Sequence, residues 1–203
     1  MKNFIKVFSY KDLVFRKLEL NHINFIKEWG VHESPLLADY NLSLMSLASL
    51  SVWVNIRDTS FSNLYYSIFK DGKMIGYVGL KDIKFFRKKA YLGISLDPNF
   101  TSKGYGSIIL EGFLKYAFEN LNLKTIYLDV NAFNERALKL YKKMGFRENA
   151  EYLGEFEVPL KDLENLEIIH NEDYFIIYGS KLLSRIIEMK LGAGDWTRRF
   201  YET

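Results

Sequence analysis

The chain has 203 residues, of which 48% are hydrophobic and 26% are charged, and its net charge is +3. These fractions are typical of folded proteins and exclude a disordered chain. The near balance of 28 basic and 25 acidic residues gives no sign of a nucleic-acid or membrane partner. Cysteine is absent, which excludes disulfides, thiol nucleophiles and thiolate metal sites. The three histidines, His22, His32 and His170, stand far apart, so we expect no metal.

The length predicts one domain, which we place over residues 1–183, with a C-terminal helical or irregular extension over residues 184–203. Charged residues interrupt the apolar residues of the N-terminal segment, which is unlike a secretory signal. No stretch approaches the ~20 apolar residues of a membrane span. We therefore expect a soluble, cytoplasmic protein.

The first predicted elements precede a region that is harder to interpret. Alternation over Leu13–Leu18 predicts a strand, and Asn21 is a plausible N-cap for a helix that ends at Gly30. Residues 31–61 contain helical patches and Pro35, so we predict one or two short helices joined by loops.

A clearer series of strands follows. Residues 64–70 and 74–80 read as a hairpin around the turn Asp71-Gly72, and residues 90–96 read as the next strand, which ends at Asp97-Pro98. After a loop with two glycines, a helix places apolar residues at helical spacing: Leu110, Phe113, Leu114, Ala117 and Phe118. Alternating strands and helices of this kind predict a mixed α/β fold.

The last third of the chain contains three further predicted strands, over residues 125–130, 146–158 and 173–180, and a helix that ends at Gly145. The tail from Lys181 to Leu191 reads as a helix, after which the pattern is lost. Its apolar residues need cover, either from the same domain or from a second subunit in a homodimer: Leu182, Leu183, Ile186, Ile187 and Met189.

The segment Pro98-Asn99-Phe100-Thr101-Ser102-Lys103-Gly104-Tyr105-Gly106-Ser107 lies between a predicted strand and a predicted helix. Such a loop directs backbone N–H groups toward one point at a helix N-terminus, where anions are favoured. The two glycines would let a phosphate approach the backbone, and Lys103 with the hydroxyls of Ser102 and Ser107 would add charge and donors. The spacing fits neither the dinucleotide fingerprint nor a Walker A sequence. Taken alone, the two glycines favour a simple tight turn over an anion site.

A second segment runs from Asn134 to Phe146, Asn-Glu-Arg-Ala-Leu-Lys-Leu-Tyr-Lys-Lys-Met-Gly-Phe. Asn134 is a natural N-cap, and Tyr141 falls two turns along, close to the same face. Taken alone, this pattern indicates an amphipathic helix with a buried tyrosine.

Together the two segments resemble the GCN5-related N-acetyltransferase (GNAT) superfamily. Its acyl-CoA loop reads Gln/Arg-x-x-Gly-x-Gly/Ala, matched from Thr101 to Gly106, and its second signature, Asn-x-x-Ala-x-x-Leu-Tyr-x-x-x-Gly-Phe, is met from Asn134 to Phe146. Thr101 departs from the usual Gln or Arg, so one side chain of the pyrophosphate site is missing. The resemblance implies a central mixed, largely antiparallel sheet flanked by helices, with strands that splay at the acyl-CoA site.

The resemblance also implies acetyl-CoA as co-substrate, with no metal, and a set of site residues. Tyr141 would donate a proton to the CoA sulfur, and a phenol with a pKa of about 10 is protonated at neutral pH. Backbone and side-chain groups of nine further residues would bind the cofactor: Ile94, Leu96, Ser102, Lys103, Gly104, Tyr105, Gly106, Ser107 and Asn134.

The base that deprotonates the acceptor amine is not identified by the motifs. Glu33, Asp39 and Asp82 are candidates because they lie in or beside segments that form the acceptor side in this fold, and His32 is a fourth candidate. An ordinary solvated or packing role remains open for each of these four residues.

The expected reaction is acetyl transfer from acetyl-CoA to a primary amine of a small molecule or a protein N-terminus, by direct attack in a ternary complex. Residues 84–94 look like the amino-sugar N-acetyltransferases of pseudaminic acid biosynthesis. The first helix, with Trp29, is similar to enzymes that acetylate ribosomal protein N-termini and spermidine. An amino-sugar nucleotide N-acetyltransferase, a catalytically silent acyl-CoA-binding module and a nucleotide-binding α/β domain remain as alternatives.

Overall fold

The computed structural model describes residues 4–58, 60–156 and 171–201. The chain divides into two compact units, one formed by Met1–His32 with Tyr40–Lys124 and the other by Glu33–Asp39 with Thr125–Thr203. Each unit contains antiparallel strands and helices, which confirms the predicted α/β class with a largely antiparallel sheet. The predicted splay of the strands stays a prediction.

Among the described residues of the first unit, five strands follow one another as an antiparallel meander: β1 (Val7–Tyr10), β2 (Leu13–Lys17), β3 (Leu64–Lys70), β4 (Lys73–Lys84) and β5 (Lys89–Leu96). Asp71 and Gly72 connect β3 to β4 with φ of 49° and 79°. Two consecutive positive φ angles suit the twist of a tight hairpin, so this predicted turn is confirmed.

The helices of the first unit cover both faces of these strands: α1 (Ile23–Ile26), α2 (Leu47–Asp58) and α3 (Tyr105–Lys115). Tyr65 of β3 packs in a cluster with Val54 of α2, whereas the ring of Tyr66 lies 6.0 Å from that of Phe113 of α3. Neighbouring residues of a strand point to opposite faces, so β3 is buried on both sides. This explains why its sequence is apolar along almost its whole length.

Two predictions for the N-terminal segment need correction. The helix expected to run to Gly30 ends at Ile26, and a 3-10 turn over Leu20–His22 precedes it. That turn is fixed by a reciprocal capping box between Glu19 and His22, rather than by Asn21 as N-cap. Strand β1 was not predicted, since the turn that joins it to β2 contains no glycine, although Lys11 adopts a φ of 52° there.

In the described part of the second unit there are four strands and two α-helices: β6 (Thr125–Asn131), α4 (Glu135–Lys143), β7 (Arg147–Glu155), β8 (Phe175–Tyr178), β9 (Lys181–Gly192) and α5 (Ala193–Tyr201). β9 pairs antiparallel with β6 and β8 along one edge and with β7 along the other. The part of the predicted strand from residue 157 to 158 lies outside the described residues, as does His170.

The predicted helix over residues 181–191 is wrong, and the predicted domain boundary after residue 183 falls inside β9. Leu182 and Ser184 are buried near one end of β9, and Met189 and Leu191 are buried near the other. Because side chains alternate along a strand, these two pairs face opposite sides. The change of buried face brings apolar residues to spacings that imitate a helix.

One of the apolar residues of this tail, Leu182, finds cover within the second unit. Leu182 packs in a cluster with Phe156 and Phe175, so its burial needs no second subunit, and the homodimer stays a prediction. The expected loss of pattern after residue 191 is also wrong. α5 begins at Ala193, and its Trp196 is 2% exposed and stacks on Phe200 with ring centroids 4.5 Å apart.

Among the described residues, no helix combines the length and the apolar character that crossing a membrane requires.

Candidate active site

A rigid turn follows β5. The side chain of Asp97, only 5% exposed, accepts hydrogen bonds from the backbone N–H groups of Asn99 and Gly30, each at 2.9 Å. One short 3-10 turn later, the Thr101 hydroxyl donates to the Pro98 carbonyl oxygen at 2.9 Å. These bonds fix the direction in which the chain enters the next helix.

That helix, α3, starts with its N-terminus open to solvent. Gly104 precedes it with a φ of 84°, and a Cβ at this position would have no atom within 4 Å. The Ser107 amide already donates to the Gly104 carbonyl at 3.1 Å. The N–H groups of Tyr105 and Gly106 come before it and have no carbonyl acceptor within the helix, as at the start of any α-helix. An oxyanion placed here would meet unpaired donors and the positive end of the helix dipole.

Two lysines and two aromatic rings stand around this N-terminus. The ammonium of exposed Lys103 lies 5.4 Å from the ring centroid of Phe100, and that of Lys70 lies 5.8 Å from the ring centroid of Tyr105. Lys70 also forms a 2.6 Å ion pair with Asp12. The ammonium of Lys103 is therefore more available to an anion than that of Lys70, which is already ion-paired.

The other residues of the first unit that we predict to bind the cofactor lie on β5, on the turn after it and on α3. Ser102 is exposed at a φ of 59°, and Ser107 is half-buried in the first turn of α3. Ile94 and Leu96 are half-buried at the end of β5, where both pair with β4. The structure thus brings the predicted residues from 94 to 107 into one continuous strand, turn and helix start.

The remaining two predicted residues share helix α4 of the second unit. The Asn134 side chain accepts the Ala137 amide at 3.2 Å, which confirms it as the N-cap. Tyr141 lies seven residues further, is 9% exposed, and its ring packs edge-on against Phe146 at 5.9 Å. Two helical turns separate these residues, so they project from nearly the same side of α4.

None of the candidate bases is singled out by its surroundings. Glu33, Asp39 and Asp82 are all exposed, which favours the solvated role for each carboxylate. His32 is half-buried, and its ring meets that of Tyr40 edge-on at 6.4 Å. Within the described part of the chain, no group of three or more histidine or acidic residues could hold a metal ion.

Asp97 is the residue of this region that the sequence reasoning missed. It connects the turn after β5 to Gly30, whose carbonyl in turn accepts the Ser43 hydroxyl at 3.2 Å. The one signal in the sequence is an aspartate between a strand and a proline, a pattern that by itself indicates only a strand end. Asp97 is a positioning residue, because it holds the backbone and leaves ligand contact to its neighbours.

Replacing Asp97 by alanine should lower the free energy of unfolding by about 2 kcal/mol, since two backbone N–H groups would lose their buried acceptor. For a chain of this length the melting temperature should fall by roughly 4–8 °C. Asp97→Asn keeps one acceptor oxygen and should cost less than half as much. Calorimetry of both variants tests this order, and equal melting temperatures for Asp97→Ala and the wild type would contradict it.

Comparison with known proteins identifies the relatives of this chain. Residues 21–146, more than half of the sequence, match the acetyltransferase (GNAT) family. Spermidine N(1)-acetyltransferase of Escherichia coli K12 is 34% identical over 86 residues, which are 42% of this chain and 46% of that enzyme. Acetyltransferase PseH of Campylobacter jejuni is 36% identical over 85 residues, 42% of this chain and 52% of that protein. The chain therefore spans about half the length of the curated relatives it matches.

Solved structures show the same fold over most of the chain. A spermidine N-acetyltransferase from Vibrio cholerae in complex with CoA and spermine superposes with a TM-score of 0.67 and 23% identity, covering 92% of this chain and 98% of that one. A chimera of that enzyme reaches a TM-score of 0.70 at the same identity, covering 93% and 99%. At this identity the likeness concerns the fold alone.

Proposed function

Because this chain belongs to the acetyltransferase (GNAT) family, we propose that it transfers the acetyl group of acetyl-CoA to a primary amine by direct attack in a ternary complex. The observation that carries the proposal is the open N-terminus of α3 behind Gly104. The turn that leads into this helix is fixed by hydrogen bonds, the first N–H groups of the helix are unpaired, and there is space for a phosphate beside them. The relatives that act on spermidine and other amines support the choice of reaction.

The residues after β5 fit the diphosphate of CoA. Backbone N–H groups from Ser102 to Gly106 and the Ser107 hydroxyl would donate to its oxygens, and Lys103 would supply a cation at the rim. Thr101 takes the place of a longer polar side chain, and its hydroxyl is already used by the Pro98 carbonyl. Backbone donors therefore carry the anion site, which a helix N-terminus can do without side chains.

Acetyl-CoA supplies an acyl group on a thiolate leaving group, and the protein must polarise the carbonyl and protonate the departing sulfur. In this proposal, backbone amides of β5 near Ile94 and Leu96 bind the pantetheine arm and the carbonyl oxygen. The phenol of Tyr141 donates its proton to the sulfur as the carbon–sulfur bond breaks. The acceptor amine loses a proton to water or to a carboxylate, and an amide and CoA are the products.

Asn134 allows the structural and the binding role of one side chain to be separated. Its oxygen caps α4, so the amide N–H₂ group remains to donate to the pantetheine arm. Asn134→Asp keeps a good capping oxygen and removes the donor, so we expect an unchanged melting temperature and a several-fold weaker affinity for acetyl-CoA. Asn134→Ala should lose about 1 kcal/mol of stability as well. Equal acetyl-CoA affinity in Asn134→Asp and the wild type, by calorimetric titration, would contradict the binding role.

The acceptor is a primary amine of a small molecule or a protein N-terminus, with the amino group of a sugar nucleotide as a specific alternative. Similarity to PseH and to spermidine acetyltransferases supports small-molecule amines. A silent acyl-CoA-binding module is the competing function, and it would need no proton donor at position 141.

Two measurements test the function. CoA should raise the melting temperature, whereas ATP and NAD at equal concentration should not, because the loop spacing suits neither nucleotide motif. Release of CoA thiol should then be followed with acetyl-CoA and four acceptor classes, namely spermidine, amino sugars, amino acids and N-terminal peptides. Stabilisation by CoA without turnover on any acceptor would favour the silent module, and no stabilisation would refute the proposal.

A further inference from the structure

A cleft of about 340 Å³ lies in the first unit, away from the turn after β5. Its walls come from β1, β2 and the 3-10 turn that follows, and they include Lys6, Arg16, Lys17, Asn21 and His22. Ligand-binding cavities usually begin at roughly 300 Å³, so this one is large enough for a small metabolite.

Of the three lysine and arginine residues described in the cleft, two form no ion pair with a described carboxylate. Lys17 forms a 2.7 Å ion pair with Asp58. Within the described ranges, neither Lys6 nor Arg16 has a carboxylate in ion-pair contact. The Arg16 guanidinium instead lies 5.0 Å from the ring centroid of Phe69, which holds it by a cation–π contact.

Among the described residues that line the cleft, Glu19 is the one acidic residue, and its backbone is bonded to His22. The backbone carbonyl of Glu19 accepts the His22 N–H at 3.0 Å, and the backbone N–H of Glu19 donates to His22 Nδ1 at 3.3 Å. Ser67 Oγ contacts the same nitrogen at 2.9 Å. Because Nδ1 is an acceptor, the neutral ring carries its proton on Nε2.

His22 is therefore a buried donor in the wall of a basic cleft. The residue is 6% exposed, and burial lowers the pKa of its imidazole, with the nearby Arg16 cation acting in the same direction and Glu19 opposing it. At neutral pH the ring is uncharged and offers Nε2–H as its remaining polar group. Nothing in the acetyl-transfer proposal uses this histidine.

We propose that this cleft binds a small phosphate ester, with Arg16 and Lys6 on the phosphate oxygens and His22 Nε2–H and the Asn21 amide as further donors. The guanidinium presents two parallel N–H groups that match two phosphate oxygens, and the ammonium adds a point charge. The site is separate from the anion-binding turn before α3 and does not depend on the acetyl-transfer activity.

The histidine itself reports on binding. The chain has three histidines, so the His22 imidazole signal can be assigned by NMR with His32→Gln and His170→Gln variants. Glucose 6-phosphate is the probe, and glucose is its uncharged match. We expect a saturable shift of the His22 signal with glucose 6-phosphate alone. The pKa of His22 should also rise on binding, because a nearby dianion favours the imidazolium.

Matched variants locate the site. Arg16→Gln should weaken glucose 6-phosphate binding at least about tenfold, the usual effect of losing a charge-assisted contact. Arg16→Lys keeps the positive charge but lacks the two parallel N–H groups, so its affinity for glucose 6-phosphate should lie between those of Arg16→Gln and the wild type. Lys73→Gln removes the same charge from an exposed position outside the cleft and should bind as the wild type does. An unshifted His22 signal, or equal weakening by Arg16→Gln and Lys73→Gln, would overturn the proposal, whatever the outcome of the acetyl-transfer assays.

Discussion

Replacing Tyr141 by phenylalanine should lower the single-turnover rate of acetyl transfer by roughly 10²–10⁴-fold, the contribution of a positioned proton donor. The substitution removes one hydroxyl and keeps the ring that packs against Phe146. Because the proton is transferred only as the thiolate departs, kcat and kcat/KM should fall together while CoA affinity stays unchanged. Single-turnover measurement avoids masking by slow product release.

Tyr174→Phe is the matched control for this prediction. It removes a tyrosine hydroxyl from the same unit, where that hydroxyl donates to Glu135 of α4 at 3.3 Å. The control should react at the wild-type rate, and both variants should melt near the wild-type temperature. A wild-type single-turnover rate for Tyr141→Phe would mean that Tyr141 only packs. A lowered melting temperature of Tyr141→Phe with a modest loss of rate would also indicate that Tyr141 only packs.

Replacing Gly104 by valine should weaken CoA binding at least about tenfold. Gly104 has a φ of 84°, a conformation that is unfavourable by roughly 1–2 kcal/mol for a residue with a Cβ and worse for a β-branched one. The backbone would relax by moving the N–H groups that we propose as donors to the diphosphate, and the new side chain would occupy the open space in front of them. Calorimetric titration with CoA measures the effect.

Gly72→Val separates backbone strain from loss of the site. Gly72 has a φ of 79° and likewise has no atom within 4 Å of the position of a Cβ, but it lies in the turn between β3 and β4. The two variants should lose similar stability, and only Gly104→Val should lose CoA affinity. If both bind CoA as the wild type does, the diphosphate does not lie on this turn.

The motif residues were predictable because each depends on local geometry. A glycine before a helix start and an asparagine three residues before the amide it caps are visible in the sequence, and the structure has Gly104 and Asn134 in those roles. Asp97 could not be ranked in this way, because its partner Gly30 is 67 positions away in the chain. A hydrogen bond between residues far apart in the chain produces no periodic pattern in the sequence.

The error in β9 has a different cause. Sequence periodicity assumes that one face of an element is buried throughout, and β9 is buried on one face at Leu182 and on the other at Met189. A strand paired on both edges can change its buried face in this way because its neighbours differ along its length. The acceptor base escaped prediction for a simpler reason, since exposed carboxylates such as Glu33 and Asp82 look alike in any sequence.

The position of β9 in the chain also sets an order of events on the ribosome. β6 ends at Asn131 and its partner β9 starts at Lys181, so about 50 residues must be translated between them. At roughly 5–20 residues per second, β6 and β7 emerge several seconds before the strand that joins them. During that interval the edges of β6 and β7 that pair with β9 lack their partner strand. The second unit is therefore expected to form in one late, cooperative step.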